Sequence, residues 1–499
     1  MTHKLLKLLK LPNFQITVLM LIAVVMCAYA VNGLSVGRDE GVHAFAAKNL
    51  AFASRYTLTL VTDNYDFDRR IAVGPTVIAP TALLFKLFGI SLYTIRAVPA
   101  LYFLLFILAF YFLVKREFGK TPAFLTCLLI LSSQWSFFRE LALFNPIYRT
   151  LTGEAAGLFF LTLSLLFWRK SFLSAFILGL AVLTKYQFAL AIPVFLLVQK
   201  GTTPNRGSPF LRALVWRLLV LALITAMPLL FWFGYQYLCL GHTQFFNEIV
   251  SYKNFSSQTF DFSFFRIKQN IVDKWMELNP LALKIYFTLP AIIFGWFYSV
   301  KKGLLKDPLK MFLIVFPTIW MVWYIFSRGY IRYEIPGLYF SLIFLSLFFV
   351  NCFKGVSLKK ETPLFVFIFS LLVIVLGFGF YINYREAKVV EPKSAQNMAE
   401  YVLANVPQGN ILTGELDFAV DLFLYNRPPL FHAFSGARQK ASLDEGFVYP
   451  AFNYSYIISK DNDPTFENLL RTDDWQFIKK FGDLSLYEFV DCGCGSNVN

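Results

Sequence analysis

The chain has 499 residues, of which 57% are hydrophobic, 18% aromatic and only 15% charged, with a formal net charge of +15. Soluble domains carry about 25% charged residues, so most of this chain is solvated by lipid. Six cysteines, four of them in or beside apolar runs, give no disulfide framework and read as small hydrophobes.

The first apolar run, 14–32, follows a basic leader with Lys4, Lys7 and Lys10. Ala28-Tyr29-Ala30 has the form of a signal-peptidase site, so a cleaved signal and a retained first helix both fit. The stretch GLSVGRDEGVHAFAAKNL (33–50) then sets Asp39 and Glu40 where the first helix leaves the membrane. Carboxylates suit a helix N-terminus, because they meet free N–H groups and the positive end of the dipole. Val42, Phe45, Ala46, Asn49 and Ala53 predict an amphipathic helix, and TDNYDFDRR predicts a polar turn. The segment GPTVIAPTALLFKLFG (74–89) is apolar but carries Pro75 and Pro80, which predicts an interfacial or re-entrant piece rather than a full span.

Ten further apolar runs follow, at 96–114, 121–138, 152–168, 171–184, 186–199, 213–238, 281–299, 309–326, 335–353 and 362–382. A bilayer crossing needs about 20 apolar residues. The polar turn Thr184-Lys185-Tyr186 divides two short runs. With the N-terminus inside, every cytoplasmic connection is basic: Lys115, Arg116 and Lys120; Arg169 and Lys170; Lys200, Arg206, Arg212 and Arg217; Lys301, Lys302, Lys306 and Lys310; Lys354, Lys359 and Lys360. That is the positive-inside pattern. The excess positive charge is therefore topology, and no nucleic-acid partner is expected.

Eleven spans place 384–499 outside. This segment reads as a small α/β or α+β module, with an amphipathic helix at 392–405 and strands at 410–413 and 454–458. The expected fold is an all-α polytopic membrane protein of about 11 transmembrane helices (residues 1–383), with amphipathic helices in its first outer loop and a small C-terminal α/β extracytoplasmic domain (384–499).

Ionisable residues avoid the span centres, which argues against an ion-coupled transporter. They gather instead at outer helix ends and outer loops, among them Asp39, Glu40, His43, Arg69, Arg70, Arg149, Glu154, Lys185, Arg328, Arg332 and Glu334. Any one interfacial cation can be a snorkelling anchor, but the acidic residues neither snorkel far nor set topology. Together these groups suit a substrate with a lipid tail and an anionic head. A carboxylate deprotonates an acceptor hydroxyl, and cations neutralise a phosphate leaving group. Asp66-Phe67-Asp68 has the D-x-D form that holds metal–nucleotide sugars elsewhere, but its outer placement favours a plain polar turn. Asn254-Phe255-Ser256 and Asn453-Tyr454-Ser455 are glycosylation sequons, and Cys492-Gly493-Cys494 reads as a frayed tail.

Six stretches occur in a familiar order: Asp39-Glu40, Gly74-Pro75, LFGISLYTIRAVPAL (87–101), TGEAAGLFFLTLSLL (152–166), GLAVLTKYQFALAIP (179–193) and SRGYIRYEIPGLYF (327–340). Over roughly 14–350 the chain resembles the GT-C glycosyltransferases related to dolichyl-phosphate-mannose–protein mannosyltransferases and bacterial lipid A aminoarabinose transferases.

The resemblance implies an integral-membrane inverting glycosyltransferase, with a polyprenyl-phosphate-linked sugar as donor and an extracytoplasmic lipid, glycan or protein as acceptor. It implies Asp39 as the first-loop base, Glu40 as the acidic residue after it, and Glu154 as a further catalytic carboxylate. Lys185 occupies the family's Leu-Thr-Lys turn. Arg328, Arg332 and Tyr333 fall on the turn that contacts the donor phosphate. Many bacterial members carry Lys-Pro-Pro before the proline-broken segment. That lysine contacts the donor phosphate; here Arg69 or Arg70, upstream of Gly74-Pro75, takes its place, and the departure does not carry a specific aminoarabinose or lipid A role. A single donor phosphate needs less neutralisation than a diphosphate, so no obligatory metal is expected, with a divalent cation left open. The resemblance, with the basic inner loops, implies a bacterial inner membrane location. A lipid or polysaccharide translocase without chemistry of its own is the alternative, and the apolar span centres speak against the polar path it would need.

Overall fold

The structure is a computed structural model that describes residues 12–32, 38–59, 64–68, 71–133, 147–199, 208–257, 282–326, 331–354, 394–406, 411–413, 430–432, 455–460, 475–482 and 484–490. The chain divides into two compact units. One comprises Met1–Tyr29, Val73–Val77 and Pro99–Asn383, and the other Ala30–Ala72, Ile78–Val98 and Tyr384–Asn499.

The helices are α1 (Pro12–Asn32), α2 (Arg38–Ala53), α3 (Pro75–Phe88), α4 (Leu92–Phe118), α5 (Lys120–Ser133), α6 (Glu154–Leu166), α7 (Ser171–Thr184), α8 (Ala191–Gln199), α9 (Ser208–Ser257), α10 (Ala282–Lys301), α11 (Pro308–Phe326), α12 (Ile335–Lys354) and α13 (Ser394–Asn405). Among the described residues, Leu92–Phe118 and Ala213–Val250 are long and apolar enough to cross a membrane by length and composition. Only 22% of the most apolar stretch in the second is buried, and Trp216, Leu219, Leu223, Leu230, Phe231 and Leu238 are all exposed. Soluble monomers rarely leave an apolar face of this length to water, and a lipid-facing helix presents one. The last expected span, 362–382, lies outside the described residues, as do 134–138 of the third, the second sequon and the Cys492/Cys494 pair.

The larger unit is knitted by small residues and hydroxyls. Helix α7 packs on α6 and α9, and α12 on α5, α10 and α11. Ser164 and Ser174 exchange hydroxyl-to-carbonyl hydrogen bonds, each 2.8 Å, across α6 and α7. Gly179 lets α7 close on α9, since a Cβ there would fall 2.2 Å from the Thr225 carbonyl oxygen. Arg116 donates to the Leu165 and Leu166 carbonyl oxygens at 3.1 and 2.7 Å, satisfying the open end of α6.

Three details differ from the sequence reading. The proline-bearing segment is shorter than a full span, but it is unbroken at Pro80, one continuous 14-residue helix, α3. Pro75 opens it, where a missing N–H costs nothing. Pro80 cannot donate to the Thr76 carbonyl one turn back, and the Tyr102 hydroxyl does so instead at 2.9 Å. The stretch TDNYDFDRR is more than a turn: β2 (Asn64–Asp66) pairs antiparallel with β1 (Thr57–Thr59). Helix α2 is not amphipathic, for every residue from Glu40 to Ala47 is buried. Gly41, Ala44, Ala46 and Ala47 let neighbours approach on the side a bulkier helix would expose.

In the second unit, α13 buries Ala395, Met398, Ala399 and Val402, the spacing of one helical face. The expected strands are β3 (Ile411–Thr413) and β5 (Tyr456–Lys460). They join β4 (Leu430–His432), β6 (Trp475–Phe481) and β7 (Leu484–Phe489) in a mixed sheet of order β4-β3-β5-β7-β6. The β3 strand runs parallel to both neighbours, and β7 antiparallel to both of its own.

Candidate active site

In the larger unit, the C-terminus of α7 ends on Lys185, whose extended backbone (φ −156°, ψ 118°) stops the helix before a short 3-10 turn, Tyr186–Leu190. Thr184 anchors this end. Its hydroxyl donates to the Leu180 carbonyl oxygen at 2.7 Å and lies 2.7 Å from that of Thr76, while its carbonyl accepts the Gly74 N–H at 2.9 Å. Gly74 is the residue that allows this docking, since a Cβ there would fall 1.7 Å from the Leu183 carbonyl oxygen.

The Lys185 ammonium is buried beside the start of α6. It forms an ion pair with the Glu154 carboxylate and donates to the Thr152 carbonyl oxygen at 3.1 Å. It also lies 4.9 Å from the centre of the Tyr333 ring, within cation–π range. Glu154 is the first residue of α6 and follows Gly153 in the left-handed conformation (φ 84°). A carboxylate at that position is favoured by the positive end of the helix.

Tyr333 is held from two sides. It packs with Trp296 and Trp323 against buried Ile292, Met321 and Tyr324, and its carbonyl oxygen accepts the Trp320 indole N–H at 2.6 Å. The next residue, Glu334, is buried and accepts from the Thr288 hydroxyl at 3.0 Å. The result is a cation enclosed by a carboxylate, a carbonyl and an aromatic face in an apolar bundle, chemically suited to receive an anionic group. Arg332 lies on the 3-10 turn Ile331–Glu334, whereas Arg328 lies outside the described residues.

The second unit holds the other predicted residues. Asp39 is in the opening turn of α2. Glu40 accepts two hydrogen bonds from Arg96 on α4, at 3.2 and 3.3 Å. Both side chains are buried, at 1% and 0% exposure, and form an ion pair. Asp66, half-buried, is engaged by the exposed Arg55 at 2.8 Å, and it raises the Arg55 pKa by hydrogen bonding and then by charge. Arg69 and Arg70 lie outside the described residues. Among the described residues no group of three or more His, Cys, Asp or Glu side chains is placed to hold a metal. Sequence reading did not pick out Arg96, Thr152 or Trp320. For Arg96 a signal was present, as a lone charge inside an apolar stretch.

Residues 73–232, which include Gly74, Glu154 and Lys185, match the family model of dolichyl-phosphate-mannose-protein mannosyltransferase. The fold matches ArnT from Cupriavidus metallidurans bound to undecaprenyl phosphate, with a TM-score of 0.59 at 14% identity over 96% of this chain and 99% of that one. The chain therefore shares the fold of this ArnT. The apo state of the same ArnT gives 0.57 at 16% identity, again over 96% and 99%. The apo oligosaccharyltransferase of Archaeoglobus fulgidus gives 0.54 at 12% identity, over 90% of this chain and 69% of that one. No curated protein sequence matches the chain.

Proposed function

We propose that this protein is a GT-C glycosyltransferase that moves a sugar from a polyprenyl-phosphate-linked donor to a hydroxyl of an extracytoplasmic acceptor (lipid, glycan or protein), with inversion. The observation that carries the reading is the buried Lys185, flanked by Glu154, Thr152 and the Tyr333 ring, in a segment matching a lipid-phosphate-sugar family. Lys185 is compensated by Glu154 in this apolar bundle, and a phosphate monoester at the head of a lipid is an anion that can take the carboxylate's place on the ammonium. The likeness to an ArnT bound to undecaprenyl phosphate supports the same donor class.

In this reading the lipid tail lies among apolar helices, with its phosphate held by Lys185, by Arg332 and Tyr333 on their turn, and by cations from Arg69, Arg70 and Arg328. Asp39 takes the proton of the acceptor hydroxyl as its oxygen bonds the anomeric carbon. The bond from that carbon to phosphate breaks, and polyprenyl phosphate leaves with the electron pair. One displacement inverts the anomeric centre. A single phosphate is neutralised by these cations, so no metal is obligatory.

The membrane orientation proposed for this chemistry is eleven spans in a bacterial inner membrane, with a cytoplasmic N-terminus and 384–499 as an extracytoplasmic domain. The basic inner loops support it. The test is reconstitution with labelled polyprenyl-phosphate sugar. Transfer to acceptor, abolished in a folded Asp39→Asn variant, supports the reading. Movement of intact donor across the bilayer without bond cleavage would mean a translocase, and near-normal transfer by Asp39→Asn would remove Asp39 as base.

A further inference from the structure

Lys185 carries three N–H bonds, and three partners face its ammonium. These are the Glu154 carboxylate, the Thr152 carbonyl oxygen at 3.1 Å and the face of the Tyr333 ring at 4.9 Å. The two charged side chains are 7% and 2% exposed, so water is a minor partner for either. Any phosphate that reaches Lys185 meets an ammonium already compensated by a carboxylate, and two anions then compete for one cation.

We infer that Glu154 is the counter-ion which Lys185 exchanges for the donor phosphate, and that this exchange sets how tightly the lipid phosphate is held and how fast it leaves. The inference rests on the reading of Lys185 as a phosphate-binding group. Glu154 is then a positioning residue acting through Lys185, not a group that touches the reacting carbon.

The carboxylate has somewhere to go. Glu154 opens α6, and Gly153 before it supplies no side-chain cap to the first turn. A carboxylate at the first residue of a helix is favoured by the positive helix end, which is where a displaced Glu154 would turn. When phosphate arrives on its lipid, Glu154 turns toward its own helix end. When polyprenyl phosphate departs, Glu154 returns to Lys185, which never stays uncompensated in the apolar bundle. The exchange keeps the binding of a common lipid product from becoming too tight to reverse.

Removing the negative charge while keeping the shape separates this role from a structural one. Glu154→Gln leaves Lys185 with no competing anion, so a polyprenyl monophosphate binds about tenfold more tightly. Donor KM falls, and kcat falls with it because product leaves slowly. A merely structural role predicts the opposite, weaker binding and a higher KM.

The experiment titrates the full chain in lipid nanodiscs with a polyprenyl monophosphate, comparing wild type, Glu154→Gln and Glu154→Asp, with thermal unfolding measured alongside. Tighter binding by folded Glu154→Gln is the expected result. Equal or weaker binding, with wild type binding normally, overturns the exchange but leaves Lys185 as a phosphate group. No binding by wild type overturns the reading of Lys185 itself. Should Glu154→Gln fail to fold, Glu154→Asp keeps the charge but shortens its reach. It is expected to bind more tightly than wild type, and binding no tighter than wild type overturns the exchange.

Discussion

Gly74→Ala tests whether the α7 end and the start of α3 are locked as described. The new Cβ would lie 1.7 Å from the Leu183 carbonyl oxygen. Carbon–oxygen contacts of this kind settle at roughly 3.3–3.6 Å, so the two backbones must part by roughly 1.6 Å or more. That separation breaks the Gly74 N–H bond to Thr184 (2.9 Å) and the Thr76–Thr184 hydroxyl contact (2.7 Å). Two hydrogen bonds contribute about 1 kcal/mol each, and forced overpacking adds about 1–3 kcal/mol. The expected loss is about 3–5 kcal/mol, read as a lower unfolding temperature of the purified protein in detergent together with a raised donor KM. Gly234→Ala is the control, because nothing lies within 4 Å of a Cβ there. In a helix interior that change is expected to stabilise by about 0.5–1 kcal/mol. A Gly74→Ala protein that unfolds at the wild-type temperature with unchanged donor KM would refute the reasoning.

Tyr102→Phe removes the donor that serves the Thr76 carbonyl opposite Pro80, with an expected loss of about 1–3 kcal/mol. Pro80→Ala restores an N–H at that place, so the double variant is expected to unfold above Tyr102→Phe alone in a thermal melt. Arg96→Met leaves the Glu40 carboxylate buried without its bidentate partner, expected to cost about 3–5 kcal/mol. The pair Glu40→Gln with Arg96→Met is expected to cost less than the sum of the single changes, by thermal unfolding of all four proteins. Trp320→Phe loses the 2.6 Å bond to the Tyr333 carbonyl. It is expected to raise donor KM several-fold, as an interaction of about 1 kcal/mol would, with transfer kinetics as the check.

The sequence made the Lys185 turn legible because a polar Thr-Lys pair between two apolar runs has no place inside a span. It is the boundary between α7 and the following 3-10 turn. Glu154 was legible for a similar reason, as an acid at the start of an apolar run. The partners of these residues were not. Nothing local in 152–154 announces that its carboxylate meets Lys185, because that contact is made by the packing of α6 on α7. Pro80 misled because the hydroxyl that compensates it comes from another helix. Helix α2 misled because periodicity reports one buried face and is silent about alanines and glycine enclosed on the other. Strands β4, β6 and β7 were missed because short strands in a mixed sheet owe their pairing to distant neighbours, not to local alternation. The Glu40–Arg96 pair was not legible either, because its two members stand 56 residues apart and meet only in the packed structure.

The central claim is that Lys185 grips the phosphate of a lipid-borne sugar, and sugar transfer by Lys185→Met measures this most directly. Wild-type protein in proteoliposomes is predicted to transfer labelled sugar from a polyprenyl-phosphate donor. A folded Lys185→Met variant is predicted to lose at least about 100-fold in kcat/KM for that donor, about 2.7 kcal/mol of transition-state stabilisation. Wild-type kcat/KM in the folded variant would contradict the account.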